Sequence, residues 1–268
     1  FGEEPPLVGF SRGVSFPKRR YGAGTIFFSG CDLRCVYCQN YQISQENFGK
    51  EYSVRELADI ILELQDSGAL NIDLVTPALW WKSLKEAIIL ARGSKLNIPV
   101  VWNSNAYEST RIIRAMEGLV DIYLPDFKYT DDSIALKYSN APGYGRIAES
   151  AIREMFRQVG RLRIENGAAR KGLLIRHLIL PGNIENSFAV LERIAAIDRR
   201  IHLSLMSQYY PVYRSYMFPE IDRKLTEKEI KAVDLKRARL GLDNGWKQES
   251  GSGNFLLPDF RKENPFRA

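Results

Sequence analysis

Thiol and imidazole side chains are scarce in this sequence: three cysteines and two histidines in 268 residues. The cysteines are odd in number and lie within eight positions, at Cys31, Cys35 and Cys38. They make a poor disulfide framework, because one thiol is left over and close neighbours staple little chain. A run of about 18 apolar residues, the minimum for a membrane-spanning helix, is also missing. No basic segment followed by an apolar stretch opens the chain, so no signal peptide is expected. Free thiols and no export signal make the cytoplasm the expected location. No strong linker or low-complexity tract divides the sequence.

What is present is ordinary for a globular protein, with 45% hydrophobic and 26% charged residues. The net charge of +6 would suit an anionic ligand or nucleic acid. Much of the excess lies in "PKRRY" (17–21) and "RKLTEKEIKAVDLKRARLG" (223–241). The second run mixes both signs and reads as a solvated helix face. Nucleic-acid binding also needs a shaped groove with stacking residues, so charge alone does not carry that reading and nucleic acid is not expected as a partner.

The middle of the chain alternates between two signatures. Short apolar runs occur at "GTIFFSG" (24–30), "NIDLVTP" (71–77), "IPVVWNSN" (98–105), "VDIYLPDF" (120–127), "LLIRHLILPG" (173–182) and "IHLSLMSQY" (201–209). Their near-continuous apolarity fits strands of a parallel sheet covered on both faces. Helical patterns separate them. In "SVRELADIILELQDSG" the residues Leu57, Ile60, Ile61 and Leu64 share a face. Ser53 and Glu56 have capping-box spacing there, and Gly68 is a stop. Thr226 and Glu229 repeat the box, with Leu225 and Ile230 at hydrophobic-staple spacing. "ESTRIIRAMEG" and "NSFAVLERIAAID" predict further helices, and 131–160 predicts two short ones around "NAPGYG". The tail from Gly245 is rich in turn formers and reads as irregular.

Six strands alternating with helices require right-handed crossovers and an α/β architecture. Periodicity does not separate an open doubly wound sheet from a full or partial barrel. In either, ligands gather at the carboxyl ends of the strands. The cysteine cluster follows the first strand, where a βα loop belongs. Thr76, Asn103, Ser104, Asn105, Asp126, Lys128 and Gln208 end other strands.

Three thiols in eight positions, beside Gly30, Asp32, Arg34 and Gln39, do not read as core packing. A structural zinc site wants four closed ligands. The two histidines, His177 and His202, lie in β-rich runs far along the chain, where a structural role is the default. Zinc stays open as an alternative. An iron–sulfur cube fits better, since thiolates are its natural ligands and close spacing lets one loop serve several irons. Three ligands on a four-iron cube leave one iron open, and an open position is where chemistry occurs.

The pattern Cys31-x-x-x-Cys35-x-Tyr37-Cys38, after a strand ending in Gly30, resembles the signature loop of the radical S-adenosylmethionine (SAM) enzymes. The resemblance implies a 4Fe–4S cluster on the three cysteines, with S-adenosylmethionine chelating the open iron. It also implies an external one-electron donor, reductive cleavage of the sulfonium, and a 5′-deoxyadenosyl radical that abstracts hydrogen. The implied fold is a partial (β/α)6 TIM-like barrel over 21–244, flanked by an N-terminal extension (1–20) and an irregular C-terminal extension (245–268). The segments "GTIFFSGCDLRCVYCQNYQIS", "LVTP", "YLPDFKY", "IRHLILPGN" and "LMSQYYP" look most like proteins related to pyruvate formate-lyase activating enzyme. Such enzymes take a hydrogen from a backbone glycine of a partner, so a glycyl-radical enzyme becomes a candidate partner.

Residue by residue, the resemblance places Tyr37 near adenine and Asn40 near the nucleoside. Thr76 stands in the turn that receives the methionine amino group, where "LVTP" replaces the usual Gly-Gly-Glu-Pro-like turn. Asn103, Ser104 and Asn105 match the polar end of the third strand. Asp126 and Lys128 match an Asp-x-Lys ending of the fourth, and Arg176 matches a fifth-strand arginine. Gln208 stands where the family uses a histidine. No cysteine follows the first loop, so no auxiliary cluster is expected. Radical modification of a small molecule, peptide or RNA, and a non-catalytic iron–sulfur role, remain the alternatives.

Overall fold

A computed structural model describes residues 6–11, 22–247, 257–262 and 265. In chain order its elements are β1 (Pro6–Ser11), β2 (Gly24–Phe28), α1 (Tyr41–Ser44), β3 (Lys50–Glu51), α2 (Val54–Asp66), β4 (Ile72–Val75), α3 (Trp81–Gly93), β5 (Val100–Ser104) and α4 (Thr110–Ala115). The second half continues with β6 (Ile122–Pro125), α5 (Asp132–Ser139), α6 (Tyr144–Val159), β7 (Arg163–Glu165), β8 (Ala168–Leu178), α7 (Ile184–Ile197), β9 (His202–Met206), α8 (Glu227–Arg239) and β10 (Gly245–Lys247).

All six predicted strands form. They pair in parallel in the order β2, β4, β5, β6, β8, β9, with β10 added beside β9. Among the described residues no ladder joins β2 to β9 or β10, so the sheet curls without closing. This is the partial barrel. Residues 6–11 of the N-terminal extension form β1, which pairs antiparallel with β2, while the basic run 17–21 lies outside the described residues. No described helix is long and apolar enough to cross a membrane.

Strand alternation separates the side chains that face the helices from those on the other face of the sheet. Ile26, Phe28, Ile72, Leu74, Trp102, Leu173, Ile175, Leu203 and Leu205 face outward into one cluster with the helices. Helix α2 adds Leu57, Ile61 and Leu64 to it, nearly fully buried. Burial of each such side chain contributes about 1.5–3 kcal/mol. The helix starts at the predicted Ser53–Glu56 capping box, and α8 starts at Thr226–Glu229 in the same way. Each cap is worth about 1 kcal/mol. On the concave side, Val101, Ile122 and Leu162, with Leu124, Ala169 and Leu174 against them, form a separate apolar floor.

Three sequence expectations need correction. The region 131–160 holds one short helix, α5, but α6 is 16 residues long, because its buried face runs unbroken from Tyr144 to Val159. Residues 245–247 of the tail are a strand, held by parallel pairing to β9. Strand β8 begins at Ala168 and forms an unpredicted hairpin with β7. The Asn166-Gly167 turn, with φ of 52° and 77°, carried a readable signal for it. Gly172 allows the chain to cross here: its φ is 128°, and a Cβ would stand 2.4 Å from the Cα of Leu162.

Candidate cluster and cofactor site

The cysteine loop occupies the βα turn between β2 and α1. Gly30 opens it with φ of 80°, a left-handed conformation that favours glycine. Distant backbone then fixes the loop. The N–H groups of Arg34 and Val36 donate to the carbonyls of Ser139 and Tyr138, each at 2.9 Å. The Arg214 N–H donates to the Val36 carbonyl at 2.8 Å, and Tyr41 stacks on Tyr213 at 4.7 Å. Leu33 is fully buried as an anchor. The end of α5 and the segment after β9 therefore hold the loop across the barrel mouth.

Each sulfur meets one polar side chain from another part of the site. Asn105 Nδ2 donates to Cys31 Sγ at 3.3 Å and to Asp32 Oδ1 at 2.6 Å. The Ser139 hydroxyl donates to Cys35 Sγ at 3.0 Å. Ser44 Oγ lies 3.2 Å from Cys38 Sγ, and the Asn40 N–H faces the same sulfur. The Cys31 thiol is pushed up to about 12, chiefly by burial, with Asp32 and Cys35 contributing to the rise. Cys35 and Cys38 rise to about 11, again chiefly through burial.

These observations test the fit of a metal group. Three neighbouring thiols in a desolvated setting, with Lys128 as the cation that lowers Cys35 and Cys38, become thiolates once a metal supplies positive charge. Among the described residues, no group of three or more His, Cys, Asp or Glu is arranged to hold a metal ion. A closed mononuclear zinc site needs four ligands on one ion, and this loop supplies three thiols. A cube takes each thiolate on a separate iron and needs no convergence on one point. The residues fit the cube.

Beside the loop, four predicted residues interlock. Asp126 Oδ1 accepts from Arg176 Nε at 2.7 Å, and Asp126 Oδ2 accepts from Lys128 Nζ at 2.5 Å. Arg176 Nη2 donates to Asn103 Oδ1 at 2.6 Å, and Asn103 Nδ2 donates to Asp73 Oδ2 at 3.3 Å. Burial alone would raise the Asp126 carboxyl, but Arg176 and Lys128 bring it below its ordinary value. Burial lowers Lys128 less than Asp126 and Cys35 raise it. The pair stays ionised.

The remaining candidates stand differently. The Tyr37 ring is buried against Tyr209, centroids 5.8 Å apart, and its hydroxyl meets that of Tyr129. It anchors the loop inside the core. Ser104 faces the helices, where its hydroxyl meets Glu108 and accepts from the Ala106 N–H at 2.7 Å. Asn103 and Asn105 are thus brought to the site and Ser104 is not. Thr76 sits at the end of β4 with φ of 58°, and its N–H donates to the Asn103 carbonyl at 2.9 Å. A positive φ at a β-branched residue is an outlier that a functional turn can hold. Gln208 follows β9, and its buried Oε1 has no partner among the described residues. His177 bonds the Phe127 carbonyl at 2.7 Å and Ser187 Oγ at 2.9 Å, the structural role expected of it.

Sequence reading passed over several neighbours. Asp73 is a lone carboxylate in the apolar run "NIDLV", a visible signal. Burial raises it, with Arg176 and Asn103 acting in opposition. Glu108 is buried against Trp102 Nε1 at 3.0 Å and is pushed up to about 7 by desolvation. Ser139, Tyr129 and Tyr144 had no local signal. Tyr144 Oη accepts from the Lys128 N–H at 3.0 Å and lies 2.8 and 2.7 Å from the carbonyls of Asn105 and Asp126. It pins the ends of β5 and β6 together.

The model of the radical SAM superfamily matches residues 25–192. The chain belongs to the radical SAM superfamily. A relative of this radical SAM chain is the uncharacterized protein MJ0674 of Methanocaldococcus jannaschii, 34% identical over 227 residues. That match spans 79% of this chain and 61% of the relative. Among solved structures, Streptococcus suis SuiB bound to S-adenosylmethionine shares the fold at a TM-score of 0.59 and 11% identity, over 86% of this chain and 51% of SuiB. The radical SAM chain thus spans about half to three-fifths of the length of these proteins. A domain of pyruvate-formate lyase-activating enzyme from Bacteroides vulgatus aligns with a TM-score of 0.46 and 14% identity, over 65% of this chain and 94% of that one, too low a score to bear on subgroup. Membership implies S-adenosylmethionine and a 4Fe–4S cluster as cofactors.

Proposed function

We propose that this chain binds a 4Fe–4S cluster through Cys31, Cys35 and Cys38 and cleaves S-adenosylmethionine reductively to start hydrogen abstraction. The carrying observation is that the loop at the carboxyl end of β2 holds all three thiols, Cys35 buried and Cys31 and Cys38 half-buried, each met by a polar side chain. Cys31, Cys35 and Cys38 would hold the cluster, whose chemistry would be one-electron reduction of the sulfonium by way of an external donor, to methionine and a 5′-deoxyadenosyl radical.

The chain's own residues bind and orient. Arg176 and Lys128 keep guanidinium and ammonium donors at the mouth, with charges balanced by Asp126, so a methionyl carboxylate can be held without an unpaired buried cation. Thr76 turns the end of β4 so that backbone can meet an amino group. Asn105, already bonded to Cys31, ties the third strand to the loop. Tyr37, Tyr129 and Tyr209 fill the space behind the cysteines and exclude water there.

For substrate we favour a backbone glycine of a glycyl-radical partner. The segments quoted for the activating-enzyme subgroup support this reading, with its departures at "LVTP" and Gln208. SuiB has been solved with its precursor peptide SuiA, at a TM-score of 0.56 to this chain, so the architecture accommodates a polypeptide. Free cysteines suit a reducing compartment, the cytoplasm.

Anaerobic reconstitution tests the first part: a brown protein with close to four irons per chain, releasing 5′-deoxyadenosine when reduced with S-adenosylmethionine. A colourless zinc protein overturns it. Deuterium passing from a partner's glycine into 5′-deoxyadenosine supports the second part; a modified metabolite or nucleoside refutes it.

A further inference from the structure

The one-turn helix α1 stands between the cysteine loop and the C-terminal tail. On the loop side, Ser44 Oγ lies 3.2 Å from Cys38 Sγ, and the Ile43 carbonyl accepts from the Gly30 N–H at 3.0 Å. Just past the helix, Gln45 Nε2 donates to the Leu33 carbonyl at 3.0 Å. On the tail side, the Gln42 amide makes a two-point clamp. Its Nε2 donates to Asp259 Oδ1 at 3.0 Å, and its Oε1 accepts from the Phe260 N–H at 2.7 Å. Arg261 pairs with Glu46 at 3.4 Å. The tail is shaped for this contact. The Lys262 N–H donates to the Asp259 carbonyl at 3.0 Å and the Arg261 N–H to Asp259 Oδ1 at 3.2 Å, a turn that carries Phe260 at its tip. Phe260 is 3% exposed, packed with Ile43 and Val75, its ring edge-on to Phe27 with centroids 5.2 Å apart. Phe27 and Val75 lie at the carboxyl ends of β2 and β4, so the ring is seated beside the cysteine loop.

We propose that residues 257–262 are a strap that holds the cysteine loop in its cluster-binding form, with Phe260 and Gln42 as its positioning residues. A four-residue helix with no side-chain cap does not keep its shape alone. Its order comes from the contacts on its two sides, so docking of the tail and the placing of Ser44 against Cys38 depend on each other. Such a dependence is reciprocal: whatever the docked tail adds to cluster binding, a bound cluster adds to tail docking. The strap's role rests on the proposed cluster on Cys31, Cys35 and Cys38. It brings to that centre a segment 217 positions from Gln42.

The test compares the full chain before and after anaerobic reconstitution. Amide hydrogen exchange over 257–262 should slow roughly tenfold on cluster loading, within the ordinary range of coupling between two sites. A tail that merely packs would exchange alike in both forms. Phe260→Ala should abolish that difference and speed iron loss to an added chelator roughly tenfold, since truncating a buried phenylalanine weakens its docking by more than that factor. Asp259→Ala removes one bond from Gln42 and leaves the apolar seat intact. It covers a failure of Phe260→Ala to fold, and should speed iron loss by a few-fold. Equal exchange in the two forms, or unchanged iron loss in a folded variant, overturns the inference. Iron content separates the two failures. A chain that takes up close to four irons without coupling to the tail loses the strap alone. A chain that takes up none loses the cluster reading, and the strap with it.

Discussion

Asp126→Ala removes the carboxylate that joins two cations at the barrel mouth. Both lost contacts are charge-assisted, at 2.7 Å to Arg176 and 2.5 Å to Lys128. The three side chains are only 16%, 26% and 15% exposed, so water replaces the lost partner poorly. Breaking a buried ion pair from one side costs about 3–5 kcal/mol. Arg176 keeps Asn103 as a partner, which places the expected loss near the lower limit, about 3 kcal/mol. For a domain of this size that lowers the thermal midpoint by about 6–12 °C. Adding Lys128→Met should recover part of the loss, because the stranded ammonium is then gone. Urea unfolding of the single and double variants measures both effects. The pH dependence has a definite sign. The Asp126 pKa is lowered in the fold, so its contribution is complete above the unfolded value near about 4 and vanishes as pH falls through the lower folded value. Wild type and variant should therefore converge in acid. The Lys128 pKa is raised, so its contribution is complete below about 10.4 and is lost as pH rises through the folded value. A loss below about 1 kcal/mol, the level of an exposed pair, or a strictly additive double variant would refute the reasoning.

Other outcomes follow from the same geometry. Cys35→Ala should abolish the intact cube, seen as loss of the brown absorption and of iron in metal analysis. Ser139→Ala deletes the donor on Cys35 Sγ and should make the cluster potential more negative, because hydrogen bonds to sulfur favour the reduced state. Spectroelectrochemistry reads it, an unchanged potential contradicts it, and a shift of about 59 mV is a tenfold change in the reduction equilibrium. Thr76→Gly relieves a left-handed conformation costing about 1–2 kcal/mol against the chain entropy glycine adds. The net expectation is a gain of up to about 1 kcal/mol in denaturant titration, and a loss would show that the threonine side chain holds the turn.

Much of the fold was legible because its determinants are local. Ser53 and Thr226 cap their helices through residues three positions away, and apolar runs between helical patterns marked all six central strands. The hairpin at Asn166-Gly167 was equally readable from its turn residues. Strand β10 was not, since "GWK" becomes a strand only where β9 offers it an edge. The site divides the same way. Asp73 stood out as a charge within an apolar strand, whereas nothing near Ser139 announces that its hydroxyl meets a sulfur 104 positions earlier.

The amino-acid order alone determined that the cysteines act as a triplet, because three thiols in eight positions share one loop under any fold of the rest. It also determined the alternation of strands and helices, through periodicity that each segment carries in itself. Only the tertiary structure decided which polar strand ends meet. Asn103, Ser104 and Asn105 are consecutive and chemically alike, yet the middle one turns to Glu108 while its neighbours serve the mouth. A strand side chain's direction flips with every residue, and which face is concave depends on the register of the whole sheet.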